Sequence, residues 1–319
     1  MRYAFWSRWT LPLGFAALLV GCAGPQVSGD ASDTGEPSTQ VQMVTGEDIQ
    51  ARLLWHYPAG SGPHATVIVH PGRGEDALDM RDTLRALSAQ GYLAVALDYK
   101  RRVRGEFDAV PLPWRTLEDA QHILEVICDN PRVDATRIGV LGFSLGGAHS
   151  LLLAASSPHV KAAVVYYPMS DFSSWFEEKS ENSVFWRFMI KRWRAKYANN
   201  SPNDNITLDE LLAFYSPVNH AQRIDAPLLI IHGDRDNTTP LAHSVSFSEK
   251  LRAAGNEDTD MMVIKGKGHA FNFRASSEAT AQSWNATLSW LDRHLGNPSA
   301  VARLGPQTPP SWHNVSGRL

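Results

Sequence analysis

Gly142-Phe143-Ser144-Leu145-Gly146-Gly147 is the stretch on which the reading of this chain turns. Just before it, Arg137-Ile-Gly-Val-Leu-Gly142 is a short apolar run that reads as a buried strand. Just after it, Leu145 to Ser156 is rich in Leu, Ala and Gly and reads as a helix. Ser144 therefore sits in a G-x-S-x-G pattern at a sharp strand-to-helix turn, the form of a nucleophile elbow. Such a turn strains the serine backbone and crowds the positions two residues either side, and glycines there remove the clashing side chains. The first turn of the helix points free amides and a positive dipole end at any oxyanion nearby. A glycine-rich turn whose serine only caps the helix would look the same locally. The rest of the chain has to supply a base, an acid and an oxyanion hole.

Working outward, apolar runs recur with helical segments between them. Strands are expected at Ile49–Tyr57, Ala65–His70, Tyr92–Asp98, Arg137–Leu141, Lys161–Tyr167, Pro227–His232 and Asp260–Ile264. Helices are expected at Arg81–Gln90, closed by Gly91, at Thr116–Ile127 and at Ser277–Leu295. This alternation predicts an α/β fold with a mainly parallel, doubly wound sheet. Reactive groups in such sheets gather beyond the carboxyl ends of the strands.

Three strand ends carry chemistry. They are His70-Pro-Gly72-Arg73-Gly74, His232-Gly-Asp234-Arg-Asp236-Asn-Thr-Thr-Pro240 and Lys265-Gly-Lys-Gly268-His269. A serine hydroxyl is a weak nucleophile near neutral pH and needs a base, and His269 is the best placed. An acid must orient that imidazole. Asp236, Asp234 and Asp171 are all candidates. The amide of Leu145 is the expected first oxyanion donor. His70 and His232 read as structural hydrogen-bonding residues, and His149 as a helix residue outside the chemistry.

The order Ser, Asp, His is that of the α/β-hydrolase superfamily. From about residue 45 to 295 the chain resembles its dienelactone hydrolase-like branch, through Val133-Asp-Ala-Thr-Arg-Ile-Gly-Val-Leu-Gly-Phe-Ser-Leu-Gly-Gly147 and the His-Gly-Asp-x-Asp-x-x-x-Pro stretch. The resemblance implies an α/β-hydrolase fold and needs no cofactor and no metal. It places the acid on Asp236 and the second oxyanion donor on the amide of Arg73. Some members of the branch carry cysteine at the elbow; Ser144 excludes thiolate chemistry here.

Between Tyr167 and Pro227 a long segment replaces a plain crossover. Residues 168–219 read as a helical cap insertion. Trp175, Phe176 and Trp186 are candidate pocket residues beneath it. Phe185, Trp186, Met189, Ile190, Trp193 and Tyr197 recur at helical spacing among Lys191, Arg192, Arg194 and Lys196. Such a basic, amphipathic helix could cover the site, touch a membrane, or simply pack.

The formal net charge of −3 gives no reason to expect nucleic acid as a partner, and two cysteines build no disulfide framework. Arg2 and Arg8 precede an apolar run, Leu11–Val20, too short to span a bilayer and ending in Leu19-Val20-Gly21-Cys22. This resembles the lipobox of bacterial lipoproteins. It implies a signal peptide over 1–21, acyl chains on Cys22, and an envelope location with the domain tethered at the periplasmic face of the outer membrane, since Ala23 follows. Residues 22–44 read as a flexible tether, 45–295 as the catalytic domain and 296–319 as a loose tail. Cys128 reads as a buried small hydrophobe.

The expected whole is a lipid-anchored serine hydrolase that opens a small-molecule carboxylic ester, lactone or thioester through an acyl-enzyme. A serine peptidase or amidase resembling the prolyl oligopeptidase clan is the alternative enzyme, although 319 residues leave little room for the propeller of the oligopeptidases. A non-catalytic envelope lipoprotein on the same fold is the alternative outside enzymes. The oligomeric state is left open.

Overall fold

In a computed structural model the described residues are 36–45, 50–97, 114–200, 207–273, 277–296 and 309–310. The signal peptide, Cys22, most of the tether, the basic loop after residue 98 and nearly all of the tail lie outside them.

Eight strands form one sheet: β1 (Ser38–Thr45), β2 (Gln50–Tyr57), β3 (His64–His70), β4 (Leu93–Leu97), β5 (Val133–Phe143), β6 (Val160–Tyr166), β7 (Leu228–Gly233) and β8 (Thr259–Ile264). Their order is β1-β2-β4-β3-β5-β6-β7-β8. The pairs β1–β2 and β2–β4 are antiparallel, and every pair from β4 to β8 is parallel. The helices are α1 (Arg81–Ser88), α2 (Trp114–Cys128), α3 (Leu145–Ser156), α4 (Phe172–Asn182), α5 (Val184–Asn200), α6 (Leu208–Tyr215), α7 (Leu241–Ala253) and α8 (Glu278–Leu295).

The central strands are apolar throughout because both of their faces are covered. Val67, Val69, Leu141, Val164, Leu229 and Ile231 enter one core with Leu84 and Leu87 of α1 and Trp284, Leu288 and Leu291 of α8. The alternating residues Ile68, Val140, Ala163, Val165, Leu228 and Ile230 enter the other, with Ile123 and Ile127 of α2, Leu151 and Leu153 of α3, and Phe247 and Leu251 of α7. This is the expected α/β-hydrolase architecture.

One boundary is corrected. Residues 38–44, read from composition as part of the tether, belong to the edge strand β1. Its outward residues Val41 and Met43 are about half exposed, while Gln42 accepts from the Trp55 indole at 3.0 Å and Gln40 from the Tyr57 hydroxyl at 3.1 Å. The polar residues make the specific contacts and the apolar ones face outward, which inverts the usual signal of a half-buried strand.

Between β6 and β7 the chain runs through α4, α5, α6 and a 3-10 turn at Pro217–Arg223. Phe172, Trp175 and Phe176 of α4, Ile190 and Trp193 of α5, and Leu208 and Leu212 of α6 form a third cluster, into which Ala148 of α3 also packs. Thr207 and Glu210 close the start of α6 with a reciprocal capping box. The helical layer thus rests on the helix that follows Ser144.

Candidate active site

Ser144 ends β5 with φ 53° and ψ −115°, in the positive-φ region that costs a residue with a side chain of order 1–3 kcal/mol. Two close approaches fix the turn. A Cβ on Gly142 would overlap the Gly146 carbonyl and the Ser150 hydroxyl, and one on Gly146 would overlap the carbonyls of His70 and Pro71. The glycines therefore let the first turn of α3 lie directly against the chain leaving β3.

His269 follows β8 and Asp236 follows β7. The His269 Nε2 lies 2.9 Å from the Ser144 Oγ, and its Nδ1 lies 2.7 Å from the Asp236 Oδ2. A carboxylate oxygen only accepts, so Nδ1 carries the proton and Nε2 is left to accept from the hydroxyl. The His269 side chain is 13% exposed and that of Asp236 is fully buried. Burial alone would raise the Asp236 pKa. Hydrogen bonds from His232 and His269, the charge of His269 and the Thr239 amide outweigh it and hold the carboxyl well below its ordinary value. The other oxygen, Oδ1, accepts from the amides of Thr238 and Thr239, both at 2.8 Å.

Asp234 is exposed and goes elsewhere. Its Oδ1 accepts from the Gly266 amide at 2.6 Å, and the Arg235 amide donates to Lys267, so the two loops are stitched together ahead of His269. Asp171 caps α4, accepting from the amide and hydroxyl of Ser174. Of the three aspartates, only Asp236 meets the imidazole.

The chain leaving β3 turns sharply at Gly72. The Gly72 amide donates to the Glu75 Oε2 at 2.6 Å, and the Glu75 amide returns to the Gly72 carbonyl at 3.2 Å. A Cβ on Gly72 would lie 3.4 Å from the Phe143 carbonyl oxygen, so this turn abuts the elbow, with Arg73 at its tip and its side chain exposed. Leu145 opens α3, half-buried.

His70, His149 and His232 make structural bonds. His70 meets the Ser150 hydroxyl at 2.6 Å, with burial first and His149 second pushing its pKa well down. His149 donates from Nδ1 to the Leu145 carbonyl at 2.9 Å, and burial lowers its pKa to about 4, the Leu145 bond opposing. His232 donates from Nε2 to the Thr239 carbonyl at 2.8 Å and meets the Ser244 hydroxyl through Nδ1. It thereby holds the loop that carries Asp236.

Several contributors escape the sequence. Tyr167, at the end of β6 with φ 38°, places its ring 4.5 Å from that of His269 and donates its hydroxyl to the Asn272 Oδ1 at 2.6 Å. Burial, with Glu75, Tyr166 and Asp236 nearby, drives its pKa well up, only the Asn272 bond opposing, so it stays neutral. Ala270 has φ 57°. Among the described residues, the non-glycine positions with positive φ are Ser144, Tyr167 and Ala270, all in or beside this constellation. Strain of this kind persists where surrounding structure over-determines it. Paired tyrosines before Pro168 at a strand end were the only cue available.

The pocket reading is corrected for two residues. Trp175 and Phe176 are 2% and 1% exposed, edge-on to one another and packed against Trp186 and Trp193, with no surface left to face a substrate. Trp186 keeps part of its surface.

A sequence profile of the prolyl oligopeptidase family matches residues 112–298. An Escherichia coli (strain K12) protein named "Putative carboxymethylenebutenolidase" is 27% identical over 236 residues, which cover 69% of this chain and 73% of that one. The structure titled "Putative Dienelactone Hydrolase" from Klebsiella pneumoniae superposes with a TM-score of 0.61 at 24% identity, over 81% of this chain and 99% of that one. The Pyrococcus horikoshii acylaminoacyl peptidase superposes with a TM-score of 0.65 at 21% identity, over 82% of this chain but 42% of that one. The two superpositions establish the fold and the profile establishes the kinship: the chain is a serine hydrolase that belongs to the prolyl oligopeptidase family.

Proposed function

We propose that the chain hydrolyses a carboxylic ester, lactone or thioester through an acyl-enzyme on Ser144. The observation that carries this reading is the unbroken line from Ser144 Oγ to His269 to Asp236, at 2.9 and 2.7 Å. The His269 Nε2 takes the hydroxyl proton as Oγ attacks the carbonyl carbon, and Asp236 steadies the imidazolium that forms. The amides of Leu145 and Arg73 receive the oxyanion. His269 returns the proton to the leaving alcohol or thiol; a water molecule, deprotonated by His269, then releases the acid and restores Ser144.

Ester rather than amide chemistry is supported by the relatives of similar extent. The E. coli and Klebsiella proteins, named for lactone hydrolysis, match over 73% and 99% of their own lengths, against 42% for the acylaminoacyl peptidase. The peptidase reading keeps the family profile in its favour. We further propose that acyl chains on Cys22 hold residues 45–295 at the envelope of a bacterium; an unmodified Cys22 in mass spectra of the mature protein would defeat that part.

The deciding experiment has two stages. A fluorophosphonate probe should label wild-type protein and spare Ser144→Ala; equal labelling of both would overturn the assignment. Turnover of p-nitrophenyl esters of graded chain length is then set against aminoacyl p-nitroanilides. Faster anilide cleavage at matched acyl groups moves the protein to the peptidases.

A further inference from the structure

The face of α5 turned away from the domain carries side chains that neither the core nor the site uses. Ile190 and Trp193 are 3% and 2% exposed, and Trp186 and Met189 pack beside them, so the inward face is occupied. Val184, Phe185 and Phe188 stand on the other side at 79, 63 and 62% exposure. Lys191 and Arg192, also exposed, continue that side one turn further on. The whole helix bears Arg187, Lys191, Arg192, Arg194 and Lys196 and no acidic residue, within a chain of formal net charge −3. Arg187 reaches back to the Ser180 and Glu181 carbonyls at 2.9 and 3.1 Å and braces the corner between α4 and α5. The apolar end is thereby presented on a fixed frame.

We propose that this face seats on the anionic surface of a lipid bilayer. Val184, Phe185 and Phe188 enter the boundary between headgroups and acyl chains, and Lys191 and Arg192 meet lipid phosphates. Charge and size select this occupant. A second copy docked by two-fold symmetry would bring the basic rows of both copies into one contact, which like charges oppose. A protein partner needs about 800 Å² a side, more than three side chains at one helix end provide. Shallow insertion suits a narrow apolar wedge followed by lysine and arginine. Among the described residues no helix is long and apolar enough to cross a membrane, so the element lies along the surface. The inference rests on the surface of α5 alone and is independent of Ser144 chemistry and of Cys22.

The test is co-sedimentation of the full chain carrying Cys22→Ser with vesicles of phosphatidylcholine, or of phosphatidylcholine mixed with phosphatidylglycerol. All variants share that background, so any contribution of the N-terminus is common to them. The mixed vesicles should bind the protein more tightly, and added salt should weaken the difference. Lys191→Gln and Arg192→Gln should each weaken binding about fivefold. Phe185→Ser with Phe188→Ser should weaken it at least about tenfold, with an unchanged thermal melt because both rings are exposed. Equal binding to the two vesicle types, or a phenylalanine double variant that binds as well as its parent, overturns the proposal. So does a dimer in sedimentation equilibrium that the same double substitution abolishes, which would assign the face to a second copy.

Discussion

The indole Nε1 of Trp175 donates to the Thr238 carbonyl at 2.7 Å, two residues beyond Asp236. Lys179, one turn along α4, donates to the neighbouring Asn237 carbonyl at 2.6 Å. The helical layer therefore grips the loop that carries the proposed acid, from the side opposite His269. Trp175→Phe removes the donor and keeps most of the ring. It should lower kcat roughly fivefold with little change in KM, and cost about 1 kcal/mol in a denaturant titration. An unchanged kcat with the same stability loss would reduce Trp175 to packing alone.

Asp236 and Asp234 separate by substitution. Asp236→Asn leaves an imidazole without its anionic partner and should cut kcat by about 10⁴. Asp234→Asn disturbs the bond to Gly266 and should cost less than about tenfold. Steady-state kinetics on one activated ester compares them, and the opposite ranking would reassign the acid.

The turn after β3 depends on the Glu75 carboxylate. With the Gly72 amide bonded inward at 2.6 Å, the amide of Arg73 is left to face the elbow. Glu75→Ala frees that turn and should lower kcat about 10- to 100-fold, whereas Glu75→Gln, which keeps an acceptor, should lose much less. Equal losses would point to the charge and not the turn.

Acid should loosen the core beneath the elbow before it reaches the carboxylates. His149 is depressed to about 4 in the fold against 6.5 in the unfolded chain. The unfolded state thus binds the extra proton first. Stability is full above pH 6.5, falls as pH drops through the window, and at pH 5 is lower by roughly 2 kcal/mol from this residue. His70 adds to the loss in the same direction. Asp236, depressed in its own range, is lost only at still lower pH. His149→Asn should flatten the decline of Tm between pH 7 and 5; an unchanged slope would exclude His149 as its source.

What the sequence discloses is whatever is encoded locally. Ser144, Asp236 and His269 each follow an apolar run and sit among glycines that permit the close approach of loops, so spacing alone finds them. Tyr167 and Trp175 are found only in three dimensions. One reaches His269 across the ends of β6 and β8, the other reaches Thr238 from an insertion that packs back over α3. Their residue types, Tyr and Trp in apolar stretches, read as core, and for Trp175 that is also what its burial shows. β1 hides for the opposite reason, because Gln40 and Gln42 make its contacts while Val41 and Met43 face outward.

The edge position of β1 has a mechanical side. It meets the sheet through eight paired residues of β2, and β2, β4 and β3 stand between it and the strand that ends at Ser144. A pull arriving from the N-terminus loads that outer ladder first. The strands ending at Ser144, Asp236 and His269 stand beyond three intervening strands, out of the path of strain.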